Sequence, residues 1–196
     1  AFMRNIGVPW AFVYGNHDTE AIASHTIEEL NEMFSAFSWQ NGVNLLYAQV
    51  QPDIYGRYNQ VLRLTNPDGT VRHLLFLLDS NDYTSLFGGV YDYIHDDQVD
   101  WYEQTVKAES EAAGETVKSL LFFHIPLQEY RDAYELHLQD SGLTTYLYGE
   151  INQRTEYGDW AISASGHPSK LFPTVVRLGS TRGIFVGHDH YNNLSL

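Results

Sequence analysis

The chain has 196 residues, of which 43% are hydrophobic and 14% aromatic, and this is enough to bury one substantial core. Its formal net charge of −14 argues against non-specific binding to nucleic acid or to anionic membranes, because no basic surface is available to neutralise phosphates. The absence of cysteine excludes disulfides, thiolate zinc sites and a cysteine nucleophile.

Strand-like and helix-like stretches alternate in the first half of the chain, and this alternation predicts an α/β fold. The apolar run at 9–14 predicts a buried strand. Thr19 is a candidate cap for an amphipathic helix over about 20–37. The turn sequence Asn66-Pro67-Asp68-Gly69 predicts that three strands around it form an antiparallel meander. These strands are predicted at 45–50, 57–65 and 71–78.

The second half of the chain continues the alternation. Asp96 begins a predicted helix of about eighteen residues. An apolar strand is predicted at 117–123, and two more at 174–178 and 183–187. The stretch 127–170 is predicted to be mostly irregular or helical, with long loops that cover a functional site from residue 139 onward.

Three of these predicted strands deliver polar side chains at their carboxyl ends, where open α/β sheets place their chemistry. The first runs into Gly15-Asn16-His17-Asp18, and the middle one into His124-Ile125-Pro126. The last opens into Gly187-His188-Asp189-His190, in which two imidazoles one residue apart form a metal-chelating pair. The remaining histidines have no such setting and are interpreted as structural hydrogen-bonding residues. They are His25, His73, His95, His137 and His167.

Together, these three motifs resemble those of the calcineurin-like metallophosphoesterases. Within that superfamily, the stretches 122–130 and 187–193 are similar to the branch related to purple acid phosphatases. The resemblance covers nearly the whole chain and implies a two-metal hydrolase. It also implies a two-sheet α/β/β/α sandwich, incomplete at both ends, in which residues 1–196 belong to a single domain truncated at its N- and C-termini.

The resemblance implies a role for each motif residue. It assigns to one metal ion the ligands Asn16, His124 and His188. His190 would bind a second metal ion. His17 would not be a ligand but would stabilise or protonate the departing oxygen, with Asp18 holding its ring. An alternative for Asp18 is a plain cap on the helical residues that follow, and the two roles are compatible.

The chemistry of these residue types agrees with the implied roles. Neutral imidazole and amide oxygen suit Mn, Fe or Zn better than Ca, which prefers all-oxygen ligands. Two such ions about 3.5–4 Å apart clamp a phosphoryl group and convert water to hydroxide at neutral pH. The leading hypothesis is therefore a phosphomonoesterase in which metal-activated hydroxide attacks phosphorus in line, on a small-molecule phosphoester or a phosphoprotein.

Tyr130 and Arg131 follow the His124 loop and are candidate substrate contacts. A solvated start of a helix is an equally open interpretation of this pair. Asp79 follows an apolar run and is predicted to begin a turn with Ser80 and Asn81.

The sequence departs from the family pattern in one respect. The first two family motifs, Asp-x-His and Gly-Asp, are expected before residue 1, and they carry the bridging carboxylate and most ligands of the second ion. The 196-residue piece alone is therefore expected to be weakly active or inactive. Competing hypotheses are a phosphodiesterase or nucleotidase of the same superfamily, and a non-catalytic binding module with this fold. No apolar run approaches the ~20 residues of a membrane helix, and compartment and oligomeric state are left open.

Overall fold

In the computed structural model, the described residues are 2–20, 23–47, 50–85, 91–151 and 162–196, and they form five α-helices and six strands. The helices are α1 (Phe2–Ile6), α2 (Ile27–Phe37), α3 (Asp96–Ala113), α4 (Glu129–Leu138) and α5 (Leu171–Leu178). The strands are β1 (Trp39–Gln40), β2 (Val43–Asn44), β3 (Gln60–Thr65), β4 (Val71–Leu77), β5 (Lys118–Phe122) and β6 (Thr181–Phe185). The predicted α/β class with two sheets is confirmed. None of the described helices is long and apolar enough to cross a membrane.

The main sheet has the strand order β3-β4-β5-β6. Strand β3 runs antiparallel to β4 across the predicted turn, whereas β4, β5 and β6 run parallel to one another. The carboxyl ends of the three parallel strands therefore meet at one edge of the sheet. This edge carries the loops that begin at Asp79, His124 and His188.

A second, two-stranded sheet is formed by β1 and β2. Trp39 pairs with Asn44 and Gln40 with Val43, so that only Asn41 and Gly42 form the turn. Both turn residues have positive φ, 52° and 80°. This is the conformation that Asn-Gly adopts in two-residue hairpins, because its twist matches that of the flanking strands.

One face of the main sheet is fully packed against α3 and α5. Leu74 and Phe76 of β4 and Leu121 of β5 have no exposed surface there, and each contributes about 1.5–3 kcal/mol by leaving water. Tyr102 of α3 lies against Phe76 with ring centroids 4.9 Å apart and shares a 2.7 Å hydrogen bond with Thr181 of β6. The core therefore fixes the three parallel strands relative to each other.

The opposite face of the sheet borders a cavity of about 1170 Å³, lined mainly by apolar side chains of the sheet and of the segment 9–13. The sequence predicts a strand at 9–14, but the structure shows only one isolated bridge, between Trp10 and Leu46. Part of the predicted strand 45–50, residues 48–49, lies outside the described residues. The segment is instead held by aromatic contacts, such as the edge-to-face pair of Phe12 and Phe34 at 5.0 Å.

Helix α2 begins later than predicted. Residues 16–19 form a short 3-10 turn, 21–22 lie outside the described residues, and the α-helix begins at Ile27. Its cap is Thr26, whose side chain accepts a hydrogen bond from Glu29 N while the Glu29 carboxylate accepts one from Thr26 N. This reciprocal capping box supplies a partner to two N–H groups at the start of the helix, and the N-terminal limit of the helix is set there.

The prediction of a strand at 174–178 is wrong, because these residues belong to α5. The β-branched run of Thr174, Val175 and Val176 favours a strand locally. However, Leu171, Thr174 and Val175 are buried at helical spacing against the core, and this packing outweighs the local preference. Gly179 ends the helix in a left-handed conformation with φ 61°.

Candidate metal centre

Asn16, His124 and His188 meet at the carboxyl edge of the sheet. Asn16 Oδ1 lies 3.1 Å from His124 Nε2 and 3.1 Å from His188 Nδ1. Asn16 is only 1% exposed and His188 only 7% exposed, so this contact is largely shielded from solvent. Three residues that are remote in sequence thus place one amide oxygen and two ring nitrogens at a single point.

Two glycines leave the space that the His124 ring occupies. A Cβ at Gly15 would lie 2.8 Å from His124 Nε2, and one at Gly187 would lie 3.2 Å from His124 Nδ1. A side chain at Gly15 would therefore force the ring to move, and one at Gly187 would press against it. Burial, together with the neighbouring His188, lowers the pKa of His124 to about 4. The imidazole is neutral at physiological pH, which is its metal-binding form.

The backbone turns sharply at His188 to bring its side chain into the site. Its φ is 74°, in the left-handed region that side chains with a Cβ rarely adopt. Such a conformation costs about 1–3 kcal/mol and persists where the surrounding structure determines it. Tyr91 supplies part of that surrounding structure, because its ring meets the His188 ring edge to face at a centroid distance of 4.4 Å.

Ser80 holds the start of the His124 loop in place. Its side-chain oxygen, which is fully buried, accepts hydrogen bonds from His124 N at 3.2 Å and from Ile125 N at 2.8 Å. The turn predicted at Asp79 is present, since Asp79 Oδ1 accepts a hydrogen bond from Asn81 N. The loop after β4 therefore supports the loop after β5.

His17 lies at the rim of the site, with 48% of its side chain exposed. Its Nδ1 is 2.8 Å from Glu20 Oε1. Asp18, which the resemblance places on this ring, instead accepts a hydrogen bond from Gly15 N at 2.8 Å. Asp18 thus caps the start of the 3-10 turn to which it belongs, whereas the α-helix that follows is capped by Thr26, and Glu20 makes the contact that orients His17.

His190 is also exposed, and its ring lies 6.1 Å from that of His17, between centroids. The residue between the two histidines of this motif, Asp189, is turned away from them. Its carboxylate accepts hydrogen bonds from Ser163 N at 3.1 and 3.3 Å. His17 and His190 therefore form an outer pair beside the inner group, which consists of Asn16, His124 and His188.

Tyr130 and Arg131 make contacts that serve the fold. The Tyr130 hydroxyl donates a 2.7 Å hydrogen bond to Ile184 O, and burial raises its pKa. Arg131 donates from Nε to Ile162 O and from an Nη to Ala164 O, each at 2.8 Å. Both side chains therefore hold neighbouring backbone segments, and the interpretation of the pair as substrate contacts stays a prediction.

The sequence interpretation did not identify Tyr83. Its hydroxyl accepts a 2.7 Å hydrogen bond from Asn16 Nδ2 and donates one of 2.6 Å to Glu20 Oε1. The hydrogen bond from Tyr83 lowers the pKa of Glu20, while burial and the contact with Glu20 raise the pKa of Tyr83 to about 12. No sequence motif predicts a role for Tyr83 in the site, because it lies 67 positions from Asn16.

The inner group fits a first-row metal ion in chemistry and spacing. Two donors that each lie about 2.1 Å from one ion, at right angles, are about 3 Å apart. The amide oxygen and ring nitrogens of the inner group have this separation. Among the described residues, no group of three or more His, Asp or Glu side chains is arranged to hold a metal. The amide of Asn16 is therefore needed to complete a set of three.

The chain is similar in sequence to several phosphatase-family proteins. Over 95% of its length it is 28% identical to "Probable inactive purple acid phosphatase 14" of Arabidopsis thaliana and 28% identical to "Probable inactive purple acid phosphatase 29" of the same plant. It is also 28% identical, over 96% of its length, to "Phosphatase DCR2" of Saccharomyces cerevisiae. No protein-family model and no solved structure matches it. The predicted kinship with purple acid phosphatase-like proteins is confirmed by these relatives.

The chain spans less than half the length of these relatives. It covers 46% of each of the two Arabidopsis proteins and 31% of the yeast protein.

Proposed function

We propose that this relative of the purple acid phosphatase-like proteins forms part of a metal-dependent phosphomonoesterase, as one domain of the whole protein. The observation that carries the proposal is the position of Asn16 Oδ1, at 3.1 Å from both His124 Nε2 and His188 Nδ1. Around this point, two glycines give the His124 ring its space. The phosphatase names of the relatives supply the reaction class.

The inner group would hold one metal ion, and His190 would contribute to a second. The ions would be Mn, Fe or Zn, because neutral imidazole and amide oxygen favour these metals. When bound, the ions supply positive charge for the phosphoryl oxygens and lower the pKa of a water molecule. The protein, for its part, would hold the first ion in a shielded position, since Asn16 and His188 are almost fully buried.

His17 would act on the leaving group. The Glu20 carboxylate only accepts hydrogen bonds, so the proton between these residues belongs to His17 Nδ1. The other ring nitrogen, Nε2, is then available at the exposed rim. In the doubly protonated ring, Nδ1–H would stay on Glu20 while the Nε2 proton would pass to the oxygen that departs as its bond to phosphorus breaks, leaving the ring neutral.

A second candidate function is a non-catalytic module that retains the fold and binds one metal ion or none. The observation that favours it is the word "inactive" in the printed names of three relatives. In addition, the proposed inner ion would have three protein donors, whereas His190 is the one donor proposed for the second ion. The two candidates differ in whether turnover accompanies metal binding.

The deciding experiment uses the protein at its full natural length. Binding of Mn²⁺, Fe²⁺ and Zn²⁺ is measured by calorimetry, and hydrolysis of an aryl phosphate is measured with each metal. Saturable binding with turnover supports the phosphatase. Binding without turnover on several phosphoesters supports the non-catalytic module, and no binding by the wild type overturns the metal centre.

A further inference from the structure

The Tyr83 hydroxyl connects the inner group to the outer pair. It lies 2.7 Å from Asn16 Nδ2 and 2.6 Å from Glu20 Oε1. An amide nitrogen only donates hydrogen bonds, so the Tyr83 oxygen accepts from Asn16. The hydroxyl proton is then directed to the carboxylate of Glu20, which only accepts. The direction of both hydrogen bonds therefore follows from the Asn16 amide nitrogen, which only donates, and the Glu20 carboxylate, which only accepts.

The first consequence concerns the orientation of the Asn16 amide. While Nδ2 donates to Tyr83, Oδ1 faces His124 Nε2 and His188 Nδ1. Rotation of the amide by half a turn would place the NH₂ group against those two ring nitrogens. It would also remove the donor from the Tyr83 oxygen. The Tyr83 hydroxyl thus selects the rotamer in which the oxygen of Asn16 is presented to a metal ion.

The second consequence concerns the tautomer of His17. The same Glu20 oxygen that accepts from Tyr83 also lies 2.8 Å from His17 Nδ1. This oxygen therefore receives two donors, one from the residue that orients Asn16 and one from the outer pair. Anchored by the Tyr83 hydroxyl, the carboxylate stays directed at Nδ1 and leaves Nε2 outward.

We infer that Tyr83 is a positioning residue that, together with Glu20, fixes the orientation of the Asn16 amide for metal binding and the orientation of the His17 ring at the rim of the site. The inference rests on the proposed function for its chemical meaning, whereas the hydrogen-bond chain itself belongs to the protein without metal. Tyr91 completes the arrangement, because it forms an isolated antiparallel bridge with Tyr83 and packs its ring on His188. This bridge places one tyrosine on each of two inner residues.

The test compares Tyr83→Phe with Tyr47→Phe in the full-length protein. The two tyrosines are equally accessible, at 40% and 41%. Within the described part of the chain, the Tyr47 hydroxyl makes no hydrogen bond, and Tyr47 is therefore a matched control. Loss of a supporting hydrogen bond to a metal ligand reduces metal affinity or activity by about tenfold to a hundredfold. We expect this loss for Mn²⁺ binding and for kcat in Tyr83→Phe, and wild-type values in Tyr47→Phe.

Measurements on the metal-free protein test the hydrogen-bond chain from Asn16 through Tyr83 and Glu20 to His17 independently of metal binding. In the wild type, the Asn16 side-chain NH₂ protons should exchange slowly with solvent by NMR, and in Tyr83→Phe they should exchange faster. Glu20→Ala should shift His17 away from the Nδ1-protonated tautomer, as read from ¹⁵N chemical shifts. Unchanged exchange and unchanged Mn²⁺ affinity in Tyr83→Phe would overturn the inference. If the wild type binds no metal, the proposed function fails. The NH₂ exchange rates and the His17 tautomer still decide whether the hydrogen-bond chain exists.

Discussion

The inner group and the outer pair differ in almost every physical respect. Asn16 and His188 are nearly inaccessible to solvent, and His124 is partly buried between two glycines. His17 and His190 are exposed at the rim. The two sets differ in this way even though Asn16 and His17 are neighbours in the same short 3-10 turn, Asn16–Thr19.

This difference matches two chemical requirements. A ligand set must keep its geometry when no ion is bound, and a rigid, shielded setting provides that. A group that transfers a proton to a substrate oxygen must reach the substrate and exchange its proton with solvent. Under the proposed function, the molecule would meet both requirements within a few residues of sequence, because Asn16 is buried and His17 is exposed.

The largest expected effect comes from the inner group. His188→Ala should reduce Mn²⁺ affinity and turnover by more than a hundredfold, since it removes a ligand itself and not merely a supporting contact. Calorimetry and phosphatase assays measure the two losses. His190→Ala serves as the control, because this variant keeps all three residues of the inner group and should still bind the first ion. Equal metal loss in both variants would contradict the division into inner and outer residues.

Removing His17, the proposed proton donor of the outer pair, should lower turnover without changing metal binding. His17→Ala should lower kcat by about 10²–10⁴, which is the usual contribution of general acid catalysis. Metal content, measured by atomic emission, should stay at the wild-type level because His17 is not expected to be a ligand. Substrates with a low-pKa leaving group should be affected least. Loss of metal in this variant would count against the assigned role.

The support beneath the inner group can be tested through stability. Ser80→Ala removes the acceptor of His124 N and Ile125 N and should cost about 1–3 kcal/mol in the free energy of unfolding. Urea denaturation measures the change. Ser141→Ala is the control, because its hydroxyl accepts one hydrogen bond at an exposed position and its loss should be small. Equal effects in the two variants would remove Ser80 from the scaffold of the site.

The smallest expected effect lies on the packed side of the sheet, away from the site. Arg177 of α5 binds Glu103 of α3 through two hydrogen bonds, and this contact, together with the ion pair to Lys107, lowers the pKa of Glu103 from 4.5 to about 2. A depressed carboxyl pKa contributes stability that is present above pH 4.5 and is lost as the pH falls toward about 2. Arg177→Ala should therefore flatten the dependence of Tm on pH in that window, and an unchanged profile would show that the ion pair is negligible.

Those parts of the fold with strong local signals were predictable. The parallel strands β4, β5 and β6 lie within two residues of the predicted runs, because each is a short apolar segment bounded by polar residues. The helix from Asp96 has the predicted length of eighteen residues. The hairpin of β1 and β2 was missed although Asn41-Gly42 is a strong hairpin signal. Its strands are only two residues long, too short to show alternation.

Other features depend on contacts that no local pattern contains. The segment 174–178 is helical because α5 packs on the core. Its β-branched residues alone do not predict this packing. In the site, the three motifs identify the residues that meet, but they do not identify Ser80, Tyr83 or Glu20. Ser80 follows a strand of the sheet, Tyr83 is placed by its bridge with Tyr91, and Glu20 ends the 3-10 turn that contains His17. Part of the predicted loop region, 152–161, lies outside the described residues.

The long sequence separation within the inner group has a consequence for how the molecule assembles. Asn16 meets His124 across 108 residues and His188 across 172. Loop-closure entropy must be overcome before such distant contacts are rewarded, and parallel pairing of β4, β5 and β6 is itself slow. We therefore expect the contacts among Asn16, His124 and His188 to form late in folding, so that a cation bound there would stabilise the completed tertiary structure and would not nucleate it.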